Sequence, residues 1–240
     1  FSPTENVLVS DIVAAQPRVL PPVIFDQATT GQLDPDLVAR SLGLIDIRSV
    51  YDFDGTASVD IAALADPAQT TAAQRQARFL RIEKAVALPD EDVRDFDNSA
   101  FGVSTGQGMR EILGYAPVEP DGSVVVQVPA NVPIALSVLD ANGRRITARH
   151  QNWLQLRPGE VLACNGCHST QNEVSHGRQG AFDRAWSGAP ADGQPFPNTS
   201  SAFFADFGET MAQVKKRISC ATDCQLVALD EDVVYADIWT

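Results

Sequence analysis

The chain has 240 residues, 44% hydrophobic and 20% charged, which suffices for one large domain or two modest ones and excludes wholesale disorder. Eighteen Lys and Arg against 31 Asp and Glu leave a formal charge of −13, which argues against a nucleic-acid partner and against docking on an anionic membrane face. No run reaches the ~18 apolar residues of a membrane span. The opening Phe1-Ser2-Pro3-Thr4 is not a signal peptide, so the expectation is a removed export signal or an excised fragment.

Proline punctuates the first forty residues, at Pro3, Pro17, Pro21, Pro22 and Pro35, and predicts irregular chain with an extended piece over 19–25. Residues 42–50 alternate as a strand and end at the turn Asp52-Phe53-Asp54-Gly55. Short helices are expected over 61–64 and 70–76, then a strand over 78–88 and an acidic loop over 90–97. Residues 107–113 read as a short helix stopped by Gly114. Strands follow over 123–128 and 133–140, separated by Asp-Gly and Asn-Gly turns, with further short runs at 144–149 and 153–156. This is the pattern of a small antiparallel β-sandwich. Beyond Glu160 the chain is rich in Gly, Ser, Asn and Pro, and burial there is expected to come from a cofactor, with Phe182, Trp186 and Phe196 packing on it. Residues 200–217 read as a helix and 227–239 as an acidic strand.

The fold expected is therefore α+β and β-rich: a small antiparallel sandwich followed by an irregular and helical cofactor segment. The boundaries are a mixed region over 1–114, the sandwich over 115–160 and the cofactor segment with its helix over 161–240.

The four cysteines form two tight pairs. Cys164-Asn165-Gly166-Cys167-His168 is a C-x-x-C-H pattern, the attachment signature of a c-type haem. Two thiols three positions apart can add to the two vinyl groups on one porphyrin edge, and the next residue, His168, can give a ring nitrogen to the iron. The competing readings of Cys164 and Cys167 are a disulfide, or half of a Cys₄ zinc site completed by Cys220 and Cys224. Cys220-Ala221-Thr222-Asp223-Cys224 has no following histidine and predicts a local disulfide in an oxidising compartment.

Three histidines exist, so the second iron ligand has few candidates. His176 stands eight residues past His168, about 26 Å of extended chain where a loop to the opposite haem face needs about 13 Å. Its second ring nitrogen would donate to Glu173, Asp183 or a backbone carbonyl. His150 is the alternative, though its bland reading is a histidine at a sheet edge. Met109 and Met211 read as helix-face core residues. Asp52, Asp54 and Asp60 resemble a fragment of a calcium loop without its closing Glu, and read as an acidic turn.

Two stretches, Ile112 to Ser123 leading into strands and Leu156-Arg157-Pro158-Gly159-Glu160 before the C-x-x-C-H, resemble the family of large haem proteins related to the hydrazine synthase alpha subunit. The resemblance covers about 79–190. It implies a small β domain whose closing strand runs into the haem motif, in proteins that are longer and carry a β-propeller and more haems. In hydrazine synthase a tyrosine four residues past the motif histidine ligates the catalytic haem; here that position is Asn172.

Together these observations predict an exported c-type cytochrome domain, periplasmic or extracellular, with one haem c covalently bound through Cys164 and Cys167. His168 and His176 hold the iron, and electrons pass to a protein redox partner, with further domains of a longer parent chain and no nucleic acid or membrane span. The alternative is a haem enzyme of the hydrazine synthase class acting on a small nitrogen or oxygen compound at an open iron position. An electron carrier is favoured over an enzyme.

Overall fold

The computed structural model describes residues 33–101, 108–148, 150–169, 184–197 and 204–219. Two three-stranded sheets meet over one apolar core. In the first, β1 (Leu42–Ile47) lies between β6 (Val124–Pro129), antiparallel to it, and β8 (Val161–Cys164), parallel to it. In the second, β4 (Phe79–Val86) lies between β5 (Met109–Pro117) and β7 (Ile134–Leu139), antiparallel to both. A two-residue-per-strand hairpin, β2 (Asp52–Phe53) and β3 (Thr56–Ala57), follows β1. The helices are α1 (Pro35–Ala39), α2 (Ile61–Leu64) and α3 (Met211–Ser219).

The apolar pattern explains the placement. β1 is nearly continuous in apolar residues, as a central strand covered on both faces must be. Ile45 and Ile47 enter the core with Val124, Val126 and Val128 of β6 and Leu80 and Ile82 of β4, while α1 packs on β1. Gly43 admits the neighbouring chain: a Cβ there would stand 2.8 Å from Cβ of Leu156. On β4 the alternation Leu80-Arg81-Ile82-Glu83 sends the aliphatic side chains inward and the charged ones to the outer face, with a bulge between Ile82 and Glu83.

The result is a mixed α+β fold with several antiparallel sheets and short helices. The first sheet is not wholly antiparallel, because β8 joins β1 in parallel. The helix expected over 107–113 is a strand: Arg110, Glu111 and Ile112 find ladder partners in Ala85, Lys84 and Glu83 of β4, and that pairing overrides the local pattern. The helix expected over 200–217 begins only at Met211, since Gly208 takes φ +80° and Thr210 closes a capping exchange with Gln213. The segments 19–25 and 227–239 lie outside the described residues.

One buried carboxylate joins α3 to the first sheet. Asp121, fully buried in the turn before β6, accepts from the Ser123 backbone (3.0 Å) and hydroxyl through Oδ1. Its Oδ2 accepts from Nε1 of Trp186 (3.0 Å) and from the backbone N–H of Met211 at the start of α3 (2.9 Å). The Ser123 hydroxyl oxygen accepts in turn from Ala212 (2.9 Å). Burial pushes the Asp121 carboxyl above its ordinary range, and the donors from Met211, Ser123 and Trp186 oppose this. Trp186 and Phe196 thereby pack with Met211 and Val214 of α3, and Phe182 lies outside the described residues.

Asp121→Asn turns an amide toward two N–H donors. The expected cost is about 2–4 kcal/mol in urea unfolding at neutral pH. A loss below half a kcal/mol would show that this carboxylate does not hold α3.

Candidate functional site

β8 delivers the C-x-x-C-H pentapeptide. Cys164 is its last residue and pairs with Ile47 of β1. Beyond it the chain leaves the ladder but stays bonded to the continuation of β1: Arg48 N–H donates to the Cys164 carbonyl (2.8 Å) and Ser49 N–H to the Asn165 carbonyl (3.1 Å). The hairpin β2–β3 then takes hold. Cys167 N–H donates to the Asp52 carbonyl (2.8 Å), and Asp54 N–H donates to the Cys167 carbonyl (3.0 Å). Phe53 is thus the bridge partner of Cys167.

The hairpin is sharp because Asp54 and Gly55 both adopt positive φ, 53° and 83°, the turn that an Asp-Gly pair favours between twisted strands. Its two carboxylates are engaged locally. Asp52, fully buried, accepts from Gly55 N–H and from Ala185 N–H, each at 2.8 Å. Asp54 accepts from Ser169 N–H (3.0 Å). The acidic turn is therefore a clamp on the attachment loop. Gly166 makes the approach possible: a Cβ there would collide with the Asp52 backbone carbonyl and stand 2.7 Å from the Ser49 carbonyl.

Cys164 and Cys167 are free thiols, both half-buried, so they do not form a disulfide with each other. Burial pushes each up to about 11; Asp46 adds to this at Cys164, and Cys164, Asp52 and Asp54 add at Cys167. His168 is exposed, and its Nδ1 lies 3.2 Å from the Ser169 carbonyl. A carbonyl only accepts, so the contact requires a proton on Nδ1, and in that tautomer Nε2 would be the nitrogen offered to a metal. Phe53, beside Cys167, remains 52% exposed, and Val161 of β8 is exposed as well. The loop thus joins two half-buried free thiols, an exposed imidazole and uncovered apolar surface, which fits covalent attachment of a flat apolar cofactor.

The remaining candidates divide. His176, Cys220, Cys224, Asn172, Glu173 and Asp183 lie outside the described residues. Met211 is buried at the start of α3, in the core as expected, and Met109 is half-buried on β5. His150 is no free sheet-edge residue. It is half-buried, its carbonyl accepts from Nη2 of Arg110 (3.2 Å), and its Nδ1 has no hydrogen-bond partner among the described residues. Burial lowers its proton affinity, and the positive charge of His168 and of Arg110 lowers it further, so His150 lies within electrostatic reach of the motif histidine. Among the described residues no group of three or more His, Cys, Asp and Glu is placed to hold a metal ion, and no helix is long and apolar enough to cross a membrane.

Residues 73–169 match the family described as the hydrazine synthase alpha subunit middle domain. Over that stretch the chain is homologous to the hydrazine synthase alpha subunit. The match runs from before β4 to just past His168 and so contains the whole C-x-x-C-H. Hydrazine synthase subunit alpha of Kuenenia stuttgartiensis is 35% identical over 72 residues, 30% of this chain and 9% of that protein. The chain therefore aligns with less than a tenth of that relative's length. The solved structure of Kuenenia stuttgartiensis hydrazine synthase covers 71% of this chain and 22% of its own, at 21% identity and a TM-score of 0.39.

This homology corrects one expectation. An electron carrier was favoured over an enzyme, because two nitrogen ligands would close the iron. The segment that carries the motif is instead related to a subunit of a synthase, so the comparison points to an enzyme family.

The thiol environment is directly testable in polypeptide made without cofactor. With both groups pushed up to about 11, the thiolate fraction at pH 8 is about 100-fold below that of an ordinary cysteine. Alkylation of Cys164 and Cys167 by iodoacetamide should be correspondingly slow and should still be accelerating at pH 10. Peptide-like rates at pH 8 would contradict the burial described.

Proposed function

We propose that this chain is the haem-bearing portion of an enzyme of the hydrazine synthase class, with one haem c held through Cys164 and Cys167. The observation that carries the proposal is the C-x-x-C-H at the end of β8, inside the stretch homologous to an enzyme subunit. When bound, the group supplies redox chemistry at iron for a small nitrogen or oxygen compound.

The chain's own residues have separable tasks. Cys164 and Cys167 would fix the porphyrin edge as thioethers, each S–H adding across one vinyl group. His168, its Nδ1 proton on the Ser169 carbonyl, offers Nε2 as the iron ligand. Asp52 and Asp54 hold the backbone of the loop through Cys167 and Ser169. Phe53 offers a flat apolar face beside Cys167. His150, neutral by burial and close to His168, can accept or deliver a proton near the site.

In this reading His168 would be the chain's standing iron ligand and His176 would not, which would leave the bound group able to take a substrate. Thioether attachment takes place outside the cytoplasm, which supports a periplasmic or extracellular location, and a related subunit assembly is the partner class. The small share of the relative's length matched here makes further domains part of the same proposal.

The test is the ferric visible and electron paramagnetic resonance spectrum of the cofactor-loaded chain at neutral pH. A high-spin spectrum that turns low-spin on adding a small nitrogenous ligand, and that His176→Ala leaves unchanged, is expected. A low-spin bis-imidazole spectrum that His176→Ala converts to high-spin would overturn the open position.

A further inference from the structure

The outer face of the second sheet carries a charged cluster that the attachment loop does not use. Arg81 and Glu83 project there from β4; Ser137 of β7 is the ladder partner of Arg81, and Arg110 of β5 is the ladder partner of Ala85. Glu83 bridges both guanidiniums, to Nη2 of Arg81 at 3.1 Å and Nη1 of Arg110 at 3.4 Å. Arg110 also lies against the Trp153 ring, 4.5 Å from its centroid, and donates to the His150 carbonyl. The segment that follows β7 runs back along that strand's free edge, Ile146 N–H donating to the Val138 carbonyl and Leu154 exchanging hydrogen bonds with Ile134, and so brings His150 and Trp153 to Arg110.

The consequence is unusual for an outward face: the Arg110 side chain is only 6% exposed and Glu83 10%. On the residues of this face and its border four buried polar atoms have no partner among the described residues: Nε of Arg81, Nε of Arg110, Oγ of Ser137 and Nδ1 of His150. An arginine Nε–H can only donate, and a serine hydroxyl can turn to donate. Two guanidiniums against one carboxylate leave a positive charge in excess. Buried donors with surplus positive charge match an oxyanion, because leaving them unpaired costs about 1–3 kcal/mol each. The cluster is linked toward the cofactor loop by His150, whose carbonyl accepts from Arg110 and whose ring lies within electrostatic reach of His168.

We propose that Arg81, Arg110 and Ser137 form a carboxylate-binding subsite beside the attachment loop. Its occupant is a propionate of the covalent haem or a free small carboxylate. Occupancy by a propionate rests on the haem reading above; binding of a free carboxylate does not.

Two measurements on the full chain separate these outcomes. The first is the resonance Raman spectrum of the loaded protein, in which the propionate bending bands report their hydrogen bonding. The second is the ¹H–¹⁵N spectrum of the arginine Nε–H groups of the reduced protein during a formate titration. Each is made on wild type, Arg110→Lys and Ser137→Ala, since Arg110→Gln leaves Glu83 short of a buried partner and can unfold the chain.

Propionate bands that move in both variants, with no formate response, assign the subsite to the haem. Unmoved bands with saturable shifts of the Arg81 and Arg110 signals, weakened about tenfold in Arg110→Lys, assign it to a free carboxylate. Neither response would mean that water alone satisfies these donors, and would overturn the proposal. Polypeptide that carries no haem would sink the haem reading, while the formate titration would still decide the subsite.

Discussion

The α-carbon of Gly166 is pressed against the Asp52 backbone and the Ser49 carbonyl, in a space where no side chain fits. That contact lets the hairpin after β1 exchange two backbone hydrogen bonds with Cys167, and so fixes where both thiols and His168 stand. The arrangement needs β1 and β8 side by side and parallel, because only then do the two strands end together with the hairpin directly beyond. The central position of β1, between β6 and β8, is thus a condition for the site as well as for the core.

Two fully buried carboxylates fasten the rest of the chain to this frame. Asp52 bonds Ala185, and Asp121 bonds Trp186 and the first turn of α3. Arg48, just beyond β1, adds its guanidinium to the carbonyls of Trp186, Ser187 and Gly208. In a chain of net charge −13, these acids act as acceptors for backbone and indole N–H groups that would otherwise be buried unpaired. The stretch 184–197, poor in aliphatic residues, is ordered by these polar ties and by the small cluster around Phe196, Met211 and Val214.

Local alternation made β1, β4, β6 and β7 legible in the sequence, and the C-x-x-C-H was legible as chemistry. What escaped was non-local. Residues 109–113 looked helical because only their ladder on β4, some thirty positions away, makes them a strand. Asp52-Phe53-Asp54-Gly55 was readable as a turn, but nothing within four residues indicates that it grips a motif more than a hundred positions later. The Asp-Gly pair and the glycine inside C-x-x-C were the available signals, each requiring a register that a single sequence does not display. The packing of Trp186 and Phe196 on α3 was not legible either, because their sequence neighbours are polar and that helix lies further along the chain. His150 was taken for an edge residue, since Arg110, which donates to its carbonyl, stands on β5 some forty positions away.

The homologous stretch and the clamp around it have different extents. The family match begins at residue 73, after β1 and the hairpin, so the elements that grip the motif lie outside the matched segment. A clamped C-x-x-C loop with two free thiols and an exposed His168 suits the covalent cofactor proposed above. The intact mass of the chain matured in an exporting host, read under denaturing conditions, tests this most directly. The account predicts a polypeptide heavier by one haem, reverting to the bare mass when Cys164 and Cys167 are both replaced by Ala. An unmodified mass in the native protein, from a host that attaches haem to other C-x-x-C-H proteins, would contradict it.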